Sequence, residues 1–144
     1  IVKIVQAMRA RGYQGKFASS SFSGTGMVDD LGKDGAGLVL SQVLPAPHKT
    51  HLKMLREYQQ DLRDLDPKAQ PNYTSLEGYV AARVLVEGLR RAGVKLTPGR
   101  LVAALEEMRR VDLGGYEISF SARSHDGSRF VDTAVIGADG ALKF

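Results

Sequence analysis

Residues Asn72 to Gly93 read NYTSLEGYVAARVLVEGLRRAG, and the other segments make sense as neighbours of this stretch. Thr74-x-x-Glu77 has the spacing of a capping box, in which a threonine oxygen and a glutamate satisfy free N–H groups at a helix start. Leu76, Tyr79, Val80 and Val84, with Leu85, Val86 and Leu89 a little further round, make a wide apolar face at helical spacing. Arg90 and Arg91 fall in the last turn, where cations suit the helix dipole, and Gly93 stands where a left-handed residue closes a helix. The stretch predicts a helix with most of its surface against protein. Tyr73, just before the predicted cap, lies at the helix mouth, where free N–H groups point outward. It reads either as a staple packed back on the first turn or as a ring bordering a binding site.

The bulk numbers narrow the field. A chain of 144 residues, 43% hydrophobic and 25% charged, has the composition of a folded domain, or of a piece of a larger protein. No apolar run approaches the length that crosses a bilayer as a helix. The net charge is +4, and many of the cations alternate with acids along helices, as in Lys53, Arg56, Glu57, Asp61, Arg63 and Asp64. Without clusters of aromatic and basic residues, nucleic acid is not an expected partner. Cysteine is absent, which removes disulfides, thiolate chemistry and Cys-based metal sites. Ile1, Ile4, Val5 and Met8 already run at helical spacing with nothing before them to cap a helix. The expectation is that residue 1 lies inside a helix and that the sequence is the C-terminal part of a longer protein.

Along the chain, a helix to about Arg11, a turn at Gly12–Gly15 and a short strand at Lys16–Ser19 form half of an α/β repeat. Ser19 to Gly26, SSSFSGTG, leaves the C-terminal end of that strand, the edge at which open α/β sheets bind ligands. Met27–Leu31 reads as one or two helical turns, and Leu38–Leu44 as a buried strand ended by Pro45 and Pro47. A helix over Lys49–Leu65 follows, with Leu52, Leu55, Tyr58, Gln59 and Leu62 inward. Thr97-Pro98 caps another helix, to about Arg110, with Leu101, Val102, Leu105 and Met108 buried. Tyr116–Phe120 and Ser128–Ile136 read as strands, the second with Phe130, Thr133 or Val135 on one side.

Each candidate for chemistry has a plainer reading beside it. Ser21 and Ser23 follow a strand, but the glycine that a nucleophile elbow needs two residues earlier is missing. His125-Asp126-Gly127 reads as a solvated turn rather than a catalytic base. His48 and His51 have a metal-like spacing and no third ligand nearby in sequence. Gly24-Thr25-Gly26 and Gly32–Gly37 fit no phosphate-loop spacing, and Lys33 reads as a surface turn residue. The Ser19–Gly26 loop and Tyr73 remain, a set of hydroxyls and N–H groups with the apolar faces of Phe22 and Tyr73 beside them, suited to a small polar ligand.

The order of motifs carries a resemblance. MRARGYQGKF, a serine loop, GAGLVLSQVLPAP, PNYTSLEGYVAARVLVEGLRRAG and DLGGYEISFSARSHDGSRFVDTAVIG together resemble the C-terminal part of the periplasmic solute-binding proteins of ABC importers, branched-chain amino-acid (leucine/isoleucine/valine) type. The resemblance covers nearly the whole chain. It implies an α/β, type I periplasmic-binding-protein-like fold, with parallel sheets flanked by helices, of which this chain holds an incomplete two-lobed part. Residues 1–44 would belong to the C-terminal lobe, 45–121 to the N-terminal lobe and 122–144 to the C-terminal lobe again. By the same resemblance Ser20, Ser21 and Phe22 contact the ligand and the ring of Tyr73 borders the cleft. The family's main ligand anchor has no counterpart in these residues.

Amino-acid-binding members often carry an acid at the position of Ser21, whereas no Asp or Glu occurs between Lys16 and Val28. The expected ligand is thus an amino acid or an organic carboxylate, with an ammonium group not required. The implied role is non-enzymatic, periplasmic and without cofactor or metal, with an ABC permease in the membrane as partner. The alternative is the same fold as the ligand-sensing domain of a receptor or amide-responsive regulator. Apolar helix faces and open sheet edges in a chain of this extent lead us to expect self-association.

Overall fold

The computed structural model describes residues 1–23 and 26–144. In chain order the elements are α1 (Val2–Ala10), β1 (Ala18–Ser20), a 3-10 turn (Ser21–Ser23), α2 (Gly26–Leu31), a second 3-10 turn (Gly32–Gly35), β2 (Val39–Gln42), α3 (Lys53–Leu65), α4 (Tyr73–Ala92), α5 (Pro98–Glu106), β3 (Val111–Asp112), β4 (Glu117–Ile118), β5 (Asp132–Ile136) and β6 (Leu142–Lys143). They divide into two compact units, residues 1–46 with 130–144, and residues 47–129.

In the first unit α1 ends with Gly12 at φ 83°, as the sequence predicts. Its four strands lie in the order β1-β2-β5-β6. β1 and β2 are parallel, with Ser19 beside Leu40 and Ser20 beside Ser41. The other pairings are antiparallel, which the expectation of parallel sheets did not include. The chain leaves the sheet at Gln42 and re-enters beside it at Asp132, so it must run back the other way; a parallel return needs a crossover to the far end. One face of this sheet is covered by α1 and α2 through Val5, Met27, Val28, Leu31, Leu38, Leu40 and Ile136, with Phe17 packed against them. Each such side chain contributes about 1.5–3 kcal/mol by leaving water. In β5 the inward residues are Ala134 and Ile136, and Thr133 and Val135 share the outer side.

Arg9 ties the helix to the turns beneath the sheet. Its guanidinium donates to the carbonyls of Tyr13, Gly15, Asp34 and Ala36 and lies 4.9 Å from the centre of the Phe17 ring.

In the second unit α3 starts at Lys53, four residues later than the predicted Lys49. The preceding segment stays outside the helix because the Gln59 side chain donates to the carbonyls of Pro47 and Lys49, and Met54 N–H is taken by Gly114 O. Met54, Leu55, Tyr58 and Gln59 are buried, while Leu52 and Leu62 are half-buried. α4 begins at Tyr73 and is capped by Asn72, whose side chain accepts from Ser75 N–H. Thr74 is therefore inside the helix, and Tyr73 is its first residue rather than the residue before the cap.

The buried stripe of α4 is Leu76, Val80, Gly88 and Ala92. Leu85, Val86 and Leu89, expected inside, are 47%, 46% and 37% exposed. Helical spacing shows which residues share a face but not which face meets a neighbour, and here α5 packs on the side of Gly88. α5 is capped by Thr97 with Pro98 at its first position, as predicted. It ends at Glu106 and leaves Val102 exposed, while Met108 is buried as predicted and Ala104 is buried as well. The β3–β4 hairpin turns through Gly114 and Gly115, both at positive φ. There Asp112 Oδ1 accepts from both glycine N–H groups.

Candidate functional site

The serine loop is positioned by β1. Parallel pairing sets the carboxyl ends of β1 and β2 at the same edge of the sheet, so the chain leaves β1 at that edge. Ser20 is exposed on the last strand position, Ser21 is half-buried in the 3-10 turn, and Phe22 is fully exposed at 101%. The hydroxyls of Ser19 and Ser23 are bonded to each other, which closes the turn. Residues Gly24 and Thr25, part of the predicted loop, lie outside the described residues.

The register extends this edge beyond the loop. Ser20 pairs with Ser41, and Ser41 with Thr133, so three hydroxyl side chains lie in one row on one face. Gln42 and Asp132 form the next row. Gln42 is buried and Asp132 exposed, its carboxylate accepting from Thr133 N–H at 2.7 Å. Ser41, Thr133 and Asp132 were missed in the sequence because only the antiparallel return of β5 brings residue 132 to this edge.

Tyr73 belongs to the second unit. Its ring is half-buried at the first position of α4 and its hydroxyl is buried.

The remaining candidates are placed as follows. His125 is exposed, with its Nε2 3.0 Å from Glu106 Oε1. His48 and His51 are exposed, and no group of three or more His, Asp or Glu side chains suited to a metal ion occurs among the described residues. Lys33 is exposed in the second 3-10 turn.

The second unit carries concavities of its own. A groove of about 710 Å³ runs between α3, α4 and β3. Across it Arg83 bonds Glu57 at 2.5 Å and sits 5.7 Å from the centre of the Tyr79 ring. Burial raises the Glu57 pKa, but the Arg83 hydrogen bond and charge, with help from Lys53, outweigh that and hold the carboxyl below its ordinary value. Burial, followed by the hydrogen bond to Asp61, pushes the Tyr79 hydroxyl above its ordinary value.

Residues 1–141 match the family model described as periplasmic binding protein. The chain belongs to the periplasmic binding protein family. Among solved structures, a possible leucine/isoleucine/valine-binding protein from Rhodopirellula baltica is similar over 99% of this chain and 38% of its own, at 30% identity and a TM-score of 0.89. A substrate-binding periplasmic protein from Ralstonia solanacearum is similar over 98% of this chain and 41% of its own, at 31% identity and a TM-score of 0.82. A branched-chain amino acid ABC transporter protein from Thermus thermophilus with bound valine shares the fold, with 18% identity, a TM-score of 0.75 and coverage of 99% and 41%. No match was found among curated proteins.

The fold is therefore α/β and type I periplasmic-binding-protein-like, and the resemblance to the branched-chain amino-acid type is met by these neighbours. The chain spans about two fifths of the length of the solved relatives it matches.

Proposed function

We propose that these residues belong to the solute-binding component of an ABC-type importer, which captures a small polar or carboxylate-bearing ligand between two lobes. Lobe closure around the solute is then what a membrane permease reads. In this reading residues 1–44 and 122–144 serve the C-terminal lobe and 45–121 the N-terminal lobe. The protein works in the periplasm, without cofactor and without altering its ligand.

The observation that carries this reading is Phe22, a fully exposed aromatic ring beside Ser20 and Ser21 at the carboxyl edge of β1. A large apolar ring held in water on a turn is suited to stack on a ligand, and the hydroxyls beside it suit oxyanion or amide groups. Tyr73 contributes a second apolar border. The ligand is an amino acid or an organic carboxylate, and Asp132 at the same edge of the sheet is the group that decides whether an ammonium is accepted.

Calorimetry of the intact protein with leucine and, separately, with simple aliphatic and aromatic carboxylates tests this reading. Binding that is lost in Ser21→Ala and Phe22→Ala supports it. Binding indifferent to both substitutions overturns the site. Tight binding of leucine with none of the organic acids overturns a ligand that needs no ammonium.

A further inference from the structure

We propose a second binding site in this chain, an oxyanion pocket formed by Arg109, Arg129 and the serine turn Ser121–Ser124, which takes a carboxylate or phosphate group. The cavity measures about 280 Å³ and lies wholly within the second unit.

Three observations carry it. First, Arg109 and Arg129 both line the cavity, and neither belongs to the ion pairs seen among the described residues. Their neighbour Arg110 differs: it bonds Glu117 at 3.2 Å. Two guanidinium groups at one cavity, neither held in an ion pair, suit an anion bound at both.

Second, the hydroxyls of the turn are arranged as donors. Ser121 Oγ accepts from the N–H groups of Arg123 and Ser124, at 3.3 and 3.1 Å. Ser124 Oγ accepts from Asp126 N–H at 3.4 Å. A hydroxyl whose lone pairs are engaged by backbone N–H keeps its own hydrogen to give, and both residues line the cavity.

Third, the wall is fixed. Ser119 N–H bonds Gly127 O at 2.8 Å and Phe120 N–H bonds Met108 O at 2.7 Å. A Cβ at Gly127 would come within 2.6 Å of the Phe120 ring, so the turn and the ring are in close contact.

Glu117 and Asp126 also line the cavity; Glu117 is paired with Arg110, and the negative charge of Asp126 opposes the proposed ligand. That opposition makes the site testable by a gain as well as a loss. The full 144-residue chain is titrated by calorimetry with sodium phosphate and with sodium succinate at constant ionic strength. Saturable binding is expected for at least one of them, weakened about tenfold in Arg109→Gln and in Arg129→Gln. Asp126→Asn should tighten it several-fold, a change that misfolding does not produce. Arg100→Gln, on an exposed arginine elsewhere in the unit, should leave it unchanged. Succinate alone binding identifies a carboxylate site, and phosphate alone a phosphate site. No saturable heat with either, equal loss in the Arg100 variant, or no gain in the Asp126 variant overturns the proposal.

Discussion

The hydroxyl of Tyr58 on α3 is hydrogen-bonded to Asn72, the residue that caps α4. Asn72 N–H donates to Tyr58 Oη at 3.1 Å, and Tyr58 Oη lies 3.2 Å from Asn72 O. Ser75 Oγ, one turn inside α4, is 2.5 Å from the same hydroxyl. One buried phenol thus fixes both the start of α4 and its approach to α3. Tyr58→Phe keeps the ring and strands these partners, and is expected to lower stability by about 1–2 kcal/mol in urea unfolding. Asn72→Ala should cost about 1 kcal/mol as a lost cap. Because both substitutions disturb one network, the double variant should lose less than the two separate losses together.

Gly88 is where α4 and α5 come closest. A Cβ there would fall 2.7 Å from Leu105 Cδ2 and 3.3 Å from Leu101 Cδ1. Gly88→Ala gains up to about 1 kcal/mol of helix propensity and loses a similar amount as the tip of Leu105 shifts, so its melting temperature should stay near the parent value. Gly88→Val adds two methyl groups at the same contact and should cost about 1–3 kcal/mol. Equal melting temperatures for parent and valine variant would show that the two helices are not in contact here.

The Glu57–Arg83 pair sets a pH dependence. The folded Glu57 pKa lies below its ordinary value, so the unfolded chain takes up this proton first as the pH drops. The contribution of the pair is present above the ordinary glutamate range and is lost as pH falls through the folded value. With both side chains about one third exposed, the effect is below about 1 kcal/mol. Unfolding free energies measured from neutral to acid pH should fall more steeply in the parent than in Glu57→Gln.

Leu85, Val86 and Leu89 present an exposed apolar stripe on α4, the feature behind the expected self-association. Light scattering on the chain should give a mass that rises with concentration, and Leu85→Asp combined with Leu89→Asp should return it to 15.6 kDa. A concentration-independent monomer in the parent would refute this expectation.

In the proposed site Asp132 is the group expected to select for ligand charge. Asp132→Asn should weaken any ligand that carries an ammonium group by about tenfold and leave ammonium-free carboxylates bound as well or better. Competition calorimetry with leucine against its deaminated analogue separates the two.

Much of the architecture could be read from local rules. Gly12, Gly93 and Thr97-Pro98 ended or began elements where expected. The misreadings have a common cause. Thr74-x-x-Glu77 satisfies a local capping pattern, but Asn72 won because Tyr58, distant in sequence, holds it in place. The start of α3 moved because Gln59 reaches back to two carbonyls. The antiparallel direction of β5 depends on where the chain re-enters the sheet, which no periodicity encodes. The place of Ser20, Ser21 and Phe22 at a sheet edge was legible because a strand followed by small residues marks one. Ser41, Thr133 and Asp132 needed the register, and Arg109 and Arg129 needed the fold of the turn between them.

Because β5 lies between β2 and β6, the first unit cannot complete its sheet until the last fifteen residues of the chain are available. Val39 finds Val135 only after the whole of residues 47–129 has been made, a closure over long sequence separation that slows folding. During synthesis the inner face of β1 and β2 waits, half-covered, for a strand still inside the ribosome.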